Sequence, residues 1–89
     1  MLQVITQKRF EKDLEVIKKR GRGISKLNVV IRLLAEGKRL PASNFNHKLK
    51  GEWKDCWECH VEPDLLLIYN KTKTEIILIR IGTHSDLFG

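Results

Sequence analysis

Eighty-nine residues, 42% of them hydrophobic, make one small folded domain with an adequate core, and they exclude a disordered chain. No apolar run approaches bilayer length, so neither a membrane span nor a membrane partner is expected. The formal charge of +6 is lopsided: residues 1–50 carry 13 Lys/Arg against 4 Asp/Glu, and residues 51–89 carry 4 against 7. A basic half of this kind points to a polyanion, nucleic acid ahead of an acidic protein segment or an anionic membrane.

The first residues, Met-Leu-Gln-Val-Ile-Thr-Gln-Lys, lack the apolar core and cleavage site of a signal peptide. A cytoplasmic address is therefore expected, with Cys56 and Cys59 as reduced thiols. Leu2 to Ile5 reads as a short strand, and Thr6 is the expected N-cap of a helix. From Gln7 to Arg20, Phe10, Leu14 and Ile17 recur on one helical face, with cations over much of the rest. Gly21 and Gly23 stop that helix. Ser25 is expected to cap a second, in which Leu27, Val30, Ile31 and Leu34 form the buried stripe and Gly37 ends it.

Pro41 to Asn46 reads as loop. Three strands are expected next, over Trp53 to Glu62, Leu65 to Lys71 and Glu75 to Ile81, joined by short turns into an antiparallel meander. Alternation places Trp57, Cys59 and Val61 on one face and Cys56, Glu58 and His60 on the other. In the last strand Ile77, Ile79 and Ile81 are expected on the apolar face and Arg80 on the opposite one. The fold class is α+β: an N-terminal strand and two-helix hairpin packed on one face of a mainly antiparallel sheet, the other face open and polar.

Cys56-Trp57-Glu58-Cys59-His60 spells the pattern for covalent haem attachment. In a strand the two cysteines point to opposite faces, so they cannot grip one porphyrin or one zinc ion, and ordinary packing thiols are the expectation. No cofactor and no metal site is expected.

All of the chain's histidines, His47, His60 and His84, fall outside its helical half, together with Asp64 and Arg80. Imidazole suits proton transfer near neutrality, and a guanidinium suits a phosphate. The sequence offers no nucleophilic Ser or Cys with an evident base, no Gly-rich phosphate loop and no carboxylate cluster for a two-metal site. Such a set fits a reaction whose substrate brings its own nucleophile, as RNA does with its 2′-hydroxyl. A terminal aromatic such as Phe88 could stack on an unpaired base.

Three segments carry a family resemblance: His47-Lys-Leu-Lys-Gly51 with Trp53-Lys54, Cys59-His60-Val-Glu-Pro-Asp64 running into Leu67-Ile68-Tyr69, and Arg80-Ile-Gly-Thr-His84-Ser-Asp-Leu-Phe88. The chain resembles YafQ-type toxins of the RelE/ParE superfamily, the toxin halves of bacterial type II toxin–antitoxin pairs, over nearly its whole length. The resemblance implies a RelE-like fold and a metal-independent, ribosome-dependent endoribonuclease that cuts messenger RNA. It places the active site on His47, His60, Asp64, Arg80, His84 and Phe88. His84 is then the general acid and Asp64 or His60 the base, labels that the sequence leaves exchangeable, with Arg80 the phosphate ligand, His47 an orienting group and Phe88 a base contact. Some members carry Trp where this chain has Leu65, so Leu65 is not assigned to the site.

The same resemblance implies a cognate antitoxin, contacts with the ribosome and messenger RNA, and operator DNA bound by the toxin–antitoxin complex. Lys8, Arg9, Lys12, Lys18, Lys19, Arg20, Arg22, Lys48, Lys50 and Lys54 are the expected RNA-contacting cations. Two other readings are a ParE-like gyrase poison, which lacks this histidine set, and an inert member that only binds antitoxin and DNA.

Overall fold

The computed structural model describes residues 1–89. Its elements run β1 (Gln3–Thr6), α1 (Lys8–Arg20), α2 (Ile24–Ala35), β2 (His47–Lys48), β3 (Trp57–Glu62), β4 (Leu65–Lys71), β5 (Glu75–Gly82) and α3 (His84–Phe88). The strands form one sheet of order β1-β5-β4-β3-β2, in which only the β1–β5 pair is parallel. The expected α+β architecture is the observed one. No helix is long and apolar enough to cross a membrane.

The helical stripes do what their spacing requires. Phe10 and Ile17 of α1 and Leu27, Val30 and Leu34 of α2 pack onto Cys59, Val61, Leu65, Leu67, Tyr69, Ile76, Leu78 and Ile81 of the sheet. Gly21 closes α1 in the left-handed region at φ 71°, its N–H donating to the carbonyls of Ile17 and Lys18. Gly23, at φ 78°, opens α2 directly over Leu65 and Glu62, where a Cβ would collide with the Leu65 side chain.

Several local expectations are corrected. Gln7, not Thr6, is the N-cap of α1, and the Thr6 hydroxyl instead donates to Glu11 at 2.6 Å. Gly23 caps α2, and Ser25 lies inside the helix. The third strand begins at Trp57, because a 3-10 turn over Gly51–Trp53 and a left-handed Asp55 (φ 73°) prevent an earlier start. His47–Lys48 forms a short extra strand, and His84–Phe88 forms a helix that the apolar pattern did not announce.

The last strand departs most from simple alternation. Ile68 pairs with Arg80 and Tyr69 with Leu78, so Ile79 is an extra residue in a bulge. Ile76, Leu78 and Ile81 therefore meet the helices, while Ile79 joins Leu66, Ile68 and Leu87 on the other side. That second face is not an open polar surface: Leu87 covers it, with Leu49, Trp53 and Cys56 at its margin. Burial on both faces explains why β4 reads as an unbroken Leu65-Leu-Leu-Ile-Tyr69 run.

Candidate active site

The turn between β3 and β4 and the N-terminus of α3 meet at one end of the sheet. Asp64 occupies that turn and takes two hydrogen bonds on Oδ1, from the His84 backbone N–H at 3.0 Å and from His84 Nδ1–H at 2.6 Å. The contact fixes the imidazole with Nε2 as its free nitrogen. Donation from the His84 backbone, reinforced by the ring, holds the Asp64 carboxyl below its ordinary pKa. Both side chains are 57% exposed, so a substrate can reach them.

His60 stands beside this pair, its ring centroid 6.0 Å from that of His84 and edge-on to it. The backbone around His60 is irregular: Val61 is the extra residue of a second bulge, between the pairs His60–Leu66 and Glu62–Leu65. Asn44 donates to the His60 carbonyl at 2.7 Å, and the Phe45 ring lies 5.5 Å from the imidazole. These contacts tie the loop before β2 to the site.

Glu58 links the third histidine. Its carboxylate is 8% exposed, with Oε1 3.5 Å from His47 Nε2 and 3.9 Å from His60 Nε2. His47 Nδ1–H donates to the Phe45 carbonyl at 2.7 Å, which sets the ring's orientation. Glu58 is a member of the site that the histidine set does not announce, although alternation places it on the face of His60. A carboxylate two residues from a histidine in one strand was the available signal.

Phe88 is 47% exposed and packs edge-on to Trp53, 6.3 Å between centroids. Arg80 is anchored to α1. It donates to Asp13 of α1 through Nε at 2.6 Å and Nη2 at 3.1 Å, and only 12% of its side chain is exposed. Asp13 also accepts the Ile81 N–H at 3.2 Å, because β1 stops at Thr6 and leaves that part of β5 without a neighbouring strand.

All ten expected RNA-contacting cations are exposed. Two of them have carboxylate partners: Arg20 holds Asp86, and Arg22 lies 3.5 Å from Glu62. Cys59 is buried in the helix-facing core and Cys56 lies toward the second cluster, which leaves the two thiols on opposite faces.

A family model for the bacterial toxin of type II toxin-antitoxin system, YafQ, matches residues 2–89. The mRNA interferase toxin YafQ of Escherichia coli K12 is 40% identical over 81 residues, covering 90% of this chain and 88% of that protein. YafQ in the E. coli DinJ–YafQ complex is 36% identical and superposes with a TM-score of 0.92 over 100% of both chains. A metal-bound toxin from Helicobacter pylori, 42% identical, gives 0.92 over 99% of this chain and 100% of that one. The matches define the class as a type II toxin–antitoxin toxin.

The chain belongs to the YafQ family. In this chain no group of three or more His, Cys, Asp or Glu side chains converges closely enough to hold a metal ion.

Proposed function

We propose that this chain is a messenger RNA endoribonuclease that acts on the ribosome in the cytoplasm and is restrained by a cognate antitoxin. The observation that carries the reading is the His84–Asp64 pair, set 6.0 Å from His60 at an exposed end of the sheet. A relative named mRNA interferase and another solved with DinJ support it.

The substrate's 2′-hydroxyl attacks the adjacent phosphorus as a base takes its proton, and the 5′-oxygen leaves with a proton from an acid. The products are a 2′,3′-cyclic phosphate and a 5′-hydroxyl. His84, held through Nδ1 by Asp64, works through Nε2 as the acid. Because Asp64 is committed to His84, His60 takes the role of base, with Glu58 facing its Nε2. His47 and Phe88 orient the nucleotides on either side.

Arg80 keeps its assignment to the phosphate, which requires it to trade Asp13 for phosphate oxygens. The reaction is proposed to run without a metal, since every proton transfer falls to a side chain. The exposed cations of α1, with Lys48, Lys50 and Lys54, meet ribosomal RNA, and the toxin–antitoxin complex binds operator DNA.

Induced expression in bacteria with 5′-end mapping, wild type beside His84→Ala, tests the reading. In-frame cuts within translated codons, absent in the variant, are expected. Growth arrest without cuts would replace the nuclease by a gyrase poison, which a supercoiling assay would then reveal.

A further inference from the structure

We propose that a cleft on the far side of Phe45 from His60 is a second RNA-binding site, which holds the single strand next to the nucleotides being cut. The proposal rests on the nuclease reading and extends it to a surface outside the histidine cluster. The cleft has a volume of ≈ 570 Å³ and lies among the end of α2, the loop before β2 and the strands β3 and β4. Lys38, Arg39 and Lys71 line it together with Phe45, Trp57 and Tyr69, and no carboxylate does.

Trp57 is half-buried in the cleft wall. Lys48 Nζ and Lys71 Nζ lie over its ring, 5.7 and 5.8 Å from the centroid. An unpaired nucleotide would displace an ammonium group from the ring, stack its base on the indole and keep the displaced charge for its phosphate. Lys38 has one acidic neighbour, Glu36 at 3.5 Å, which stands outside the cleft.

Phe45 connects the cleft to the site. The ring is 65% exposed, on a residue in the left-handed region at φ 46°, which costs a non-glycine residue energy. It lines the cleft and also a smaller pocket that contains His60, against whose ring it sits at 5.5 Å. Trp57 and His60 lie on one strand but on opposite faces of the sheet, and Phe45 lines the hollow on each side. A strand leaving His60 therefore rounds the sheet edge past Phe45 to reach Trp57.

The test uses the whole protein carrying Trp53→Phe, which leaves Trp57 as its only indole, and 2′-O-methyl oligonucleotides, which cannot supply the attacking hydroxyl. A six-nucleotide strand should quench Trp57 fluorescence. Lys38→Ala with Lys71→Ala, both at exposed positions, should weaken its binding about tenfold and flatten the salt dependence by about 1.4 in log–log slope.

A silent Trp57, or affinity unchanged in the double variant, overturns the cleft. So does a double variant that loses antitoxin binding and keeps RNA binding, which would assign the surface to an acidic protein segment. Messenger RNA cuts by the wild type on ribosomes separate the two readings. If cuts persist while Trp57 is silent, only the cleft falls; if the wild type makes none, the nuclease reading falls and takes the cleft with it.

Discussion

Arg20, the last residue of α1, grips Asp86 through two hydrogen bonds of 2.7 and 3.3 Å, and Asp86 caps the helix that begins with His84. The cap is reciprocal: the Asp86 N–H donates to the Thr83 hydroxyl at 3.1 Å, and the Thr83 N–H donates to Asp86 Oδ2 at 2.9 Å. A helix of five residues cannot hold itself in water, so these contacts and Leu87 fix where His84 points.

Asp86→Ala is accordingly expected to cost about 1 kcal/mol of stability through the lost cap. It should speed amide exchange across 84–88 and lower the cleavage rate with substrate affinity unchanged. Arg20→Gln should do the same more weakly. A reduced salt slope for RNA binding in Arg20→Gln would instead make Arg20 an RNA contact.

Acid should unfold the protein through Asp64 and Asp86, both held below the usual carboxylate range. The causes are donation from His84 for Asp64 and from Arg20, then Thr83, for Asp86. Their unfolded-state pKa is about 3.9, so their stabilisation is fully present above that value and lost as pH falls below it. Thermal midpoints measured from pH 5 down to pH 2 should drop, and Asp86→Asn should flatten the drop.

The alkaline limb has the opposite sign. Burial, then Glu58, pushes the Cys59 thiol up to about 12, and burial, then Cys59, pushes the Tyr69 hydroxyl up to about 12. Both groups ionise lower in the unfolded chain, near 8.5 and 10, so they contribute full stability below those values. That contribution disappears as pH climbs toward 12. Equilibrium unfolding between pH 8 and 12 should show the decline, and Cys59→Ala should remove part of the pH dependence while lowering stability at pH 7.

Leu65→Trp tests whether an aromatic ring directly after Asp64 would serve the site. Leu65 is 1% exposed and packs beneath Gly23, within the helix-facing core. The larger ring should cost about 1–3 kcal/mol by overpacking. Denaturant titration should show this loss, with no gain in oligonucleotide affinity.

Glu58→Gln preserves shape and removes the charge that His47 and His60 share. The fold should survive, and turnover should fall by about 10²-fold, the scale of one general acid–base contribution. Single-turnover cleavage on programmed ribosomes, with circular dichroism as the folding control, measures it. Unchanged turnover would confine Glu58 to a structural role.

The helical half was legible because its period repeats: Phe10, Ile17, Leu27, Val30 and Leu34 are buried as spaced, and Leu14 and Ile31 pack half-buried at the margin of the same core. The bulge at Ile79 was not legible, since an apolar Ile-Ile-Leu-Ile run carries no mark of where one residue is skipped. It led Ile79 to be placed with Ile81 on the helix-facing side, when it packs with Leu66 and Ile68 on the other. The Arg80 ion pair with Asp13, 67 residues away in sequence, carries no sequence mark either. The α3 helix had a sequence signal in Thr83-x-x-Asp86, but its apolar stretch was too short to assert a period. Asp64, His60 and His84 were recoverable because turn and strand-end positions hold chemistry where packing does not dictate identity. The Glu58 bridge needed the short His47–Lys48 strand, whose pairing with Glu58 and Trp57 is a tertiary fact.

The parallel pairing of Gln3–Thr6 with Glu75–Leu78 makes the first strand wait for the last. Closing so long a loop is entropically slow, and its contacts arrive only when the meander already exists. No N-terminal portion of the chain can complete this sheet by itself, because β1 has no other neighbour. The cell therefore meets the toxin as an all-or-none object: nascent chains short of β5 lack a finished sheet and are open to proteases, and harm begins only with molecules that have closed it.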